Sequence, residues 1–309
     1  MNCDSNDVRV LAELTPVAEQ LLERHLGTAR EWFPHELIPW SRAQDFESGW
    51  TWAAEDAPDA TAGLRSAIYL NLLTEDNLPY YFRDLERMFG ADGAWGTWVR
   101  RWTAEEGRHS IVLRDYAVVT RIIDPVELER GRMCQVSGGT VPAPDSPLDA
   151  LVYVALQELA TRIAHLNTAK VLPDRAGYEI MKRVAADENL HYLYYRDLVA
   201  AALELDPSAV VCSIHRQLRS FQMPGTGIPD FAAHSRAIAG AGIYDLGIYL
   251  EQIVVPVVLR YWGLEQLEGL DASGEQARQR TLNHISRLSR LAQRLEDRAQ
   301  TSAATSPPG

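Results

Sequence analysis

Lysine is almost missing from this chain. Of 30 basic residues only Lys170 and Lys182 are lysine, an arginine bias that fits a GC-rich bacterial genome. Cysteine is as scarce: Cys3, Cys134 and Cys212 are odd in number and far apart, which excludes a dense disulfide framework and fits reduced thiols in the cytoplasm. No stretch of 18 apolar residues occurs, so no transmembrane helix is expected. The N-terminus, MNCDSNDVRV, lacks the basic and apolar regions of a signal peptide. Positive charge is also short, with a formal charge of -12 and a pI near 5.2. That balance argues against a general affinity for nucleic acid or anionic membrane. Strand-like alternation is rare as well.

What is present is helix. The 309 residues, 46% hydrophobic and 23% charged, are enough to bury a sizeable core. Helical periodicity runs from Leu64 to Phe89 despite Pro79, and again from about Trp95 to Ile123 before Pro125. Gly131 to Pro147 has the glycines and prolines of a loop, though its first residues have helical character. A third helix is expected from Asp149, an N-cap region, to Leu172, with Pro173 as its stop. A fourth spans about Gly177 to Leu205, before Asp206-Pro207. More helical segments follow the turn-rich MPGTGIP (Met223 to Pro229). The pattern predicts an all-α fold: residues 1–299 as one domain around a four-helix bundle, and 300–309 as a disordered tail.

Two histidines lie three residues after a glutamate, in Glu106/His109 and Glu188/His191. Two such pairs alone carry little weight; their setting carries more. Glu75 precedes Glu106 by 31 residues and Glu158 precedes Glu188 by 30, each on the preceding helix. The chain therefore presents helix-Glu, helix-Glu-x-x-His, twice. That is the ligand set of di-iron carboxylate bundles. On a helix, i and i+3 share a face, so each Glu-x-x-His pair reaches one metal. Four carboxylates and two imidazoles suit iron or manganese, and four negative charges nearly cancel two divalent ions.

Glu158 sits in LDALVYVALQELATRIAHL, with no other acid between Asp149 and Asp174, and such a carboxylate needs a partner. An arginine would serve for Glu158 alone; the sixfold pattern favours metal. Trp95, Trp98 and Trp102 continue the face of Glu106 and His109. Trp95 and Trp98 read as core, while Trp102, one turn before Glu106, is placed to contact a ligand or lie on an electron path. His165 reads as a hydrogen-bonded core residue. Glu105 and Asp76 are rotated about 100° from the ligand face and read as structural.

Together WTAEEGRHS, LLTEDNLP, QELAT and AADENLH resemble the soluble acyl-acyl carrier protein (ACP) desaturases, the stearoyl-ACP desaturase family, in a bacterial branch. The resemblance runs from about Trp32 to at least His191, in order and with similar spacing. It implies a ferritin-like homodimer with two Fe(2+) per chain. It further implies that oxygen and two electrons from a reduced ferredoxin-type donor introduce a cis double bond into an ACP-bound acyl chain. The family motifs fall on Glu75, Glu106, His109, Glu158, Glu188 and His191 as ligands. They also place Thr161 near the irons, Asp187 behind a ligating histidine and Trp32 beyond Asp187. A Thr161 hydroxyl bonded back to its own helix is the ordinary alternative.

Pro79 matches a family proline and removes the donor for the Glu75 carbonyl, so the helix should loosen at that ligand. Leu190 departs from the family, standing where the plant-type motif has arginine. Arg83, Arg87, Arg100, Arg101 and Arg183 are candidate carrier contacts. A di-iron oxygenase of another substrate, a ferritin-like iron store and a ribonucleotide reductase radical subunit remain open on ligand motifs alone. The extra helices after Leu205 argue against the iron store.

Overall fold

The computed structural model describes residues 5–57, 59–139 and 141–305. The chain begins with α1 (Ser5–Glu13), α2 (Thr15–Thr28) and the single turn α3 (Pro34–Leu37). The bundle follows: α4 (Ala62–Glu75), α5 (Leu78–Phe89), α6 (Gly93–Thr120), α7 (Pro125–Gly138), α8 (Pro147–Val171) and α9 (Arg175–Leu205). Then come α10 (Pro207–Ser220), α11 (Phe231–Gly240), α12 (Leu246–Tyr249), a π-helical stretch at Leu250–Tyr261 and α13 (Ala272–Thr305). No strand occurs among the described residues, so the fold is all-α.

Four boundaries differ from the sequence expectation. The first helix is two, α4 and α5, broken at Asp76 and Asn77, because Pro79 brings no N–H to the Glu75 carbonyl. The helix therefore stops at Glu75 itself. Residues 125–138, whose later part has the glycines of a loop, form α7, started by the Asp124 cap and Pro125 in its first turn. The cap of α8 is Ser146, whose hydroxyl accepts from the Asp149 amide at 3.3 Å; Asp149 lies in the first turn and is buried against Arg216. The last helix continues through residues 300–305, and 306–309 lie outside the described residues.

The same device starts most of the bundle. Asp124, Ser146 and Asp206 each cap a helix whose first turn holds proline, while Thr61 and Asp174 cap α4 and α9. Each cap satisfies an amide that the helix itself leaves orphaned. Most of α8 is buried regardless of face, since it lies at the centre and packs against α1, α4, α5, α9 and α10. Around one half of α8 the core contains Trp98, Leu151, Leu156, Tyr195 and Val254; the other half joins Leu64, Leu72, Leu113 and Ile180. Each such large apolar side chain contributes about 1.5–3 kcal/mol when fully buried.

The α8–α9 turn registers Glu158 against Glu188. It is tied by Asp174, which accepts the Gly177 amide at 2.9 Å and the Tyr116 hydroxyl at 2.7 Å. Burial opposes ionisation of Asp174, but those bonds and Arg42 hold its carboxyl below the usual range. The stabilisation is thus present above the unfolded-state value and lost as pH falls through the folded one. Asp174→Asn, which keeps a cap but not the charge, should cost about 1 kcal/mol at neutral pH by urea unfolding. The gap to wild type should close below the carboxylate range; a gap constant with pH would remove the charge from this account.

Candidate metal centre

Four helices deliver six side chains to one point. Glu75 ends α4, Glu106 and His109 lie one turn apart on α6, Glu158 is on α8, and Glu188 and His191 are one turn apart on α9. None is more than 5% exposed. Glu75, Glu106, His109 and Glu188 form one group whose ligand atoms all lie within 4.8 Å of one another, and Glu106, Glu158, Glu188 and His191 form a second. Glu106 and Glu188 belong to both. Two four-atom cages sharing two carboxylates are what a pair of bridged divalent ions requires. The structure thus brings together all six residues that the spacing singles out.

The chemistry of the donors fits metal. His109 Nδ1 is 3.1 Å from Glu106 Oε2 and 3.3 Å from Glu188 Oε1. On the other side His191 Nδ1 is 2.9 Å from Glu106 Oε1 and 3.6 Å from Glu158 Oε2. These are edge lengths expected between atoms that each sit about 2.0–2.2 Å from a common ion. Glu106 Oε1, Glu158 Oε2, both Glu188 oxygens and His191 Nδ1 have no hydrogen-bond partner despite complete burial. Without an ion the cluster must hold protons. Burial, with Glu106 and Glu188 beside it, pushes the Glu75 carboxyl up; burial and Glu188 do the same to Glu158. Neighbouring carboxylates outweigh burial and raise both His109 and His191.

Behind each histidine stands a carboxylate from the opposite helix. His191 Nε2 donates to Glu105 Oε2 at 2.9 Å, and the same oxygen lies 2.9 Å from His25 Nε2. His109 Nε2 faces Asp187 Oδ2 at 3.5 Å, and that oxygen accepts from Trp32 Nε1 at 2.7 Å. Each outer carboxylate is also paired with an arginine one turn earlier on its own helix, Arg101 for Glu105 and Arg183 for Asp187. Hydrogen bonds from the imidazoles overcome burial and keep both carboxylates ionised. Such partners fix the tautomer and direct Nδ1 inward.

Glu105 corrects the sequence reading. Rotated from the ligand face of its own helix, it points across the bundle to His191. The available signal was its place before Glu106, matching Asp187 before Glu188. His25, from the unanticipated α2, gave no signal in spacing. His165 also lies closer than expected, with Nε2 at 3.4 Å from Glu75 Oε1; burial holds it neutral by lowering its pKa to about 4. Asp76 is structural as read, accepting from Ser110 at 2.7 Å and pairing with Arg132. Trp102 donates to Glu158 Oε1 at 3.1 Å, so it holds a carboxylate in place. Thr161 donates to the Gln157 carbonyl at 3.0 Å and accepts from the Gln157 side chain at 2.9 Å.

A cleft with about 610 Å³ of free volume, open solvent included, reaches the centre. Glu75, Glu106 and Glu188 line it together with Thr161, and its remaining wall includes Tyr81, Leu85, Tyr153 and Val154. A second, mainly apolar cavity of about 90 Å³ adjoins it at Thr74.

A family model described as "Fatty acid desaturase" matches residues 6–307. DesA1 of Mycobacterium tuberculosis, whose name assigns it provisionally to the acyl-[acyl-carrier-protein] desaturases, is 43% identical over 290 residues, 91% of this chain and 85% of that one. Acyl-[acyl-carrier-protein] desaturase 6, chloroplastic, of Oryza sativa subsp. japonica is 33% identical over 319 residues, 94% of this chain and 75% of its own. The X-ray structure of DesA2 of M. tuberculosis superposes with a TM-score of 0.70 at 26% identity, covering 87% of this chain and 99% of that chain.

Binding of ions to the folded state alone should raise the melting temperature in proportion to the logarithm of ion concentration. Adding Fe(2+) without oxygen, or Co(2+), should do so for wild type, with two ions bound per chain. Glu158→Ala and His191→Ala should bind fewer ions and lose most of the shift. Glu105→Gln should keep the stoichiometry and weaken affinity about 10–100-fold. Two ions at unchanged affinity in Glu158→Ala would overturn the assignment.

Proposed function

Because the chain belongs to the fatty acid desaturase family, we propose that it is an acyl-ACP desaturase, inserting a cis double bond into a carrier-bound acyl chain. The observation that carries the reading is the meeting of the two carboxylate-histidine cages with the apolar cleft. A water-filled polar pocket would suit hydrolysis. A greasy cleft ending on metal-ligating side chains suits an aliphatic substrate with no group other than C–H to attack.

Glu75 and His109 would hold one iron, Glu158 and His191 the other, and Glu106 and Glu188 would bridge them. A di-iron pair in this cage supplies the oxidising power to take two hydrogens from adjacent methylenes, with O2 and two electrons consumed. The balance is one CH2–CH2 unit, O2, two electrons and two protons giving one CH=CH unit and two waters.

The chain's own residues do the rest. Tyr153, Val154 and Leu85 contact the methylenes and keep bulk water out. Asp187 and Glu105 hold the two imidazoles so that their Nδ1 lone pairs face inward. Trp102 prevents Glu158 Oε1 from turning away. Thr161 sits on the cleft wall with its proton on the Gln157 carbonyl, available to reorient toward the reacting face. Trp32, hydrogen-bonded to Asp187 and flanked by Arg108 and Arg183, lies on the route by which electrons from a ferredoxin-type donor reach His109.

The acyl-ACP substrate, the ferredoxin-type donor and a homodimer complete the proposal. No described helix is long and apolar enough to cross a membrane. The scarcity of cysteine supports a cytoplasmic setting.

Incubating the iron-loaded protein with reduced ferredoxin, oxygen and a ladder of acyl-ACPs should lower the acyl mass by two units. A gain of sixteen would make it an oxygenase instead, and oxygen uptake with unchanged acyl chains would reject both. Asp187→Asn should retain both irons and lower turnover; unchanged turnover would remove Asp187 from the mechanism. Trp32→Phe should slow reduction of the iron by ferredoxin while leaving reduction by dithionite intact.

A further inference from the structure

The five arginines that the sequence offered for carrier contact are engaged elsewhere. Arg83 and Arg87 flank Asp84, Arg100 donates to the Ala91 carbonyl at 2.6 Å, Arg101 pairs with Glu105 and Arg183 with Asp187. Free positive charge collects elsewhere. In a chain of net charge -12, residues 207–222 and 276–295 contain no aspartate or glutamate. These two segments belong to α10 and α13, which pack side by side and are joined by His215 Nδ1 and Thr281 Oγ1 at 3.2 Å. Arg216, Arg219, Arg280 and Arg287 are exposed on the paired helices. Burial and then Arg280 and Arg219 hold His215 below its usual pKa, and burial with Arg287 and Arg219 does so for His284 against a backbone hydrogen bond at Leu218. Of these four, Arg216 alone pairs with a carboxylate among the described residues, Asp149 at 2.9 Å.

The chain runs from this face straight into residues that line both cavities. Arg219 lies one turn before the segment Phe221–Pro224. Within that segment Met223 lines the second cavity and Pro224 the cleft at the metal centre. The Gln222 carbonyl accepts from Tyr153, which lines the same cleft, at 3.1 Å.

We infer that the α10–α13 face docks the acidic carrier protein that bears the acyl chain, an inference that rests on the acyl-ACP reading above. A carrier seated there stands at the rim over which its acyl chain must pass. The proposed electron route, through Trp32 and Asp187, is held by other elements, so the donor need not compete for this face. A second copy of this chain would oppose the face with the same positive charge. Attraction between a basic face and an acidic partner speeds and orients encounter and is screened by salt.

The test is binding of fluorescently labelled acyl-ACP to the iron-loaded protein, followed by anisotropy at low and moderate salt. Arg219→Glu/Arg287→Glu should weaken binding at least 10-fold and flatten its salt dependence. Arg219→Gln/Arg287→Gln, a milder change that leaves the helices uncharged there, should fall between. Ferredoxin affinity should stay at the wild-type value in both. Wild-type acyl-ACP affinity in both variants, or a loss confined to ferredoxin, overturns the docking face while leaving the enzyme reading intact. A wild-type protein that binds no acyl-ACP at all rejects the enzyme reading and the docking face together.

Discussion

Four carboxylates converge in the buried centre of the bundle, and most of the architecture answers to that. Four bare negative charges at this spacing are untenable in a low-dielectric interior. Two divalent ions would cancel them; otherwise protons must, and the raised Glu75 and Glu158 carboxyls and the raised histidines are that alternative. Because metal and protons compete for the same lone pairs, the helices must hold those lone pairs in position in either state. The central apolar helix α8 does part of this by fixing Glu158 among Leu156, Leu159 and Ala155, with Trp102 donating from α6.

The two halves of the site repeat each other down to the turn before the ligand: Arg101, Glu105, Glu106, His109 in α6 and Arg183, Asp187, Glu188, His191 in α9. Crossing the outer carboxylates to the opposite histidine locks the helices together as well as orienting the rings. Beyond them the symmetry ends. Asp187 meets an indole, Trp32, which donates one proton and offers a π-system; Glu105 meets an imidazole, His25. One end of the pair therefore closes on an aromatic donor flanked by Arg108 and Arg183, and the other on an imidazole packed against Trp98. The arginine that Leu190 replaces would have stood on the His25 side, where Arg101 and His25 already bracket Glu105.

What was legible in the sequence was whatever has a period. The six ligands follow from i, i+3 spacing and from the repetition of one helix pair, and the all-α fold follows from the same periodicity. Trp32 and Asp187 were legible through motif resemblance rather than physics. Glu105 was misread because spacing describes a helix's own face, whereas its partner stands on another helix. His25 was invisible for the same reason, 80 residues from Glu105 on a helix that carries no ligand. The arginines show the limit from the other side. Composition says they are abundant, but only packing reveals that Arg101 and Arg183 are paired with buried carboxylates while Arg219 and Arg287 stand exposed.

The break at Asp76 and Asn77 joins the metal cage to the substrate path. Every other ligand sits within a continuous helix, hydrogen-bonded on both sides; Glu75 is the last residue of α4. Pro79 makes that end unavoidable, and the preceding Thr74 carbonyl accepts from the Asn77 amide at 3.1 Å and the Tyr81 hydroxyl at 3.3 Å. Thr74, one residue earlier, is the side chain that both cavities share. The ligand with the least backbone restraint is thus the one adjoining the point where an acyl chain would pass from one cavity to the other. Glu75 is the corner of the cluster next to the wall that both cavities share, while Glu106 and Glu188, common to both four-residue groups, sit within unbroken helices.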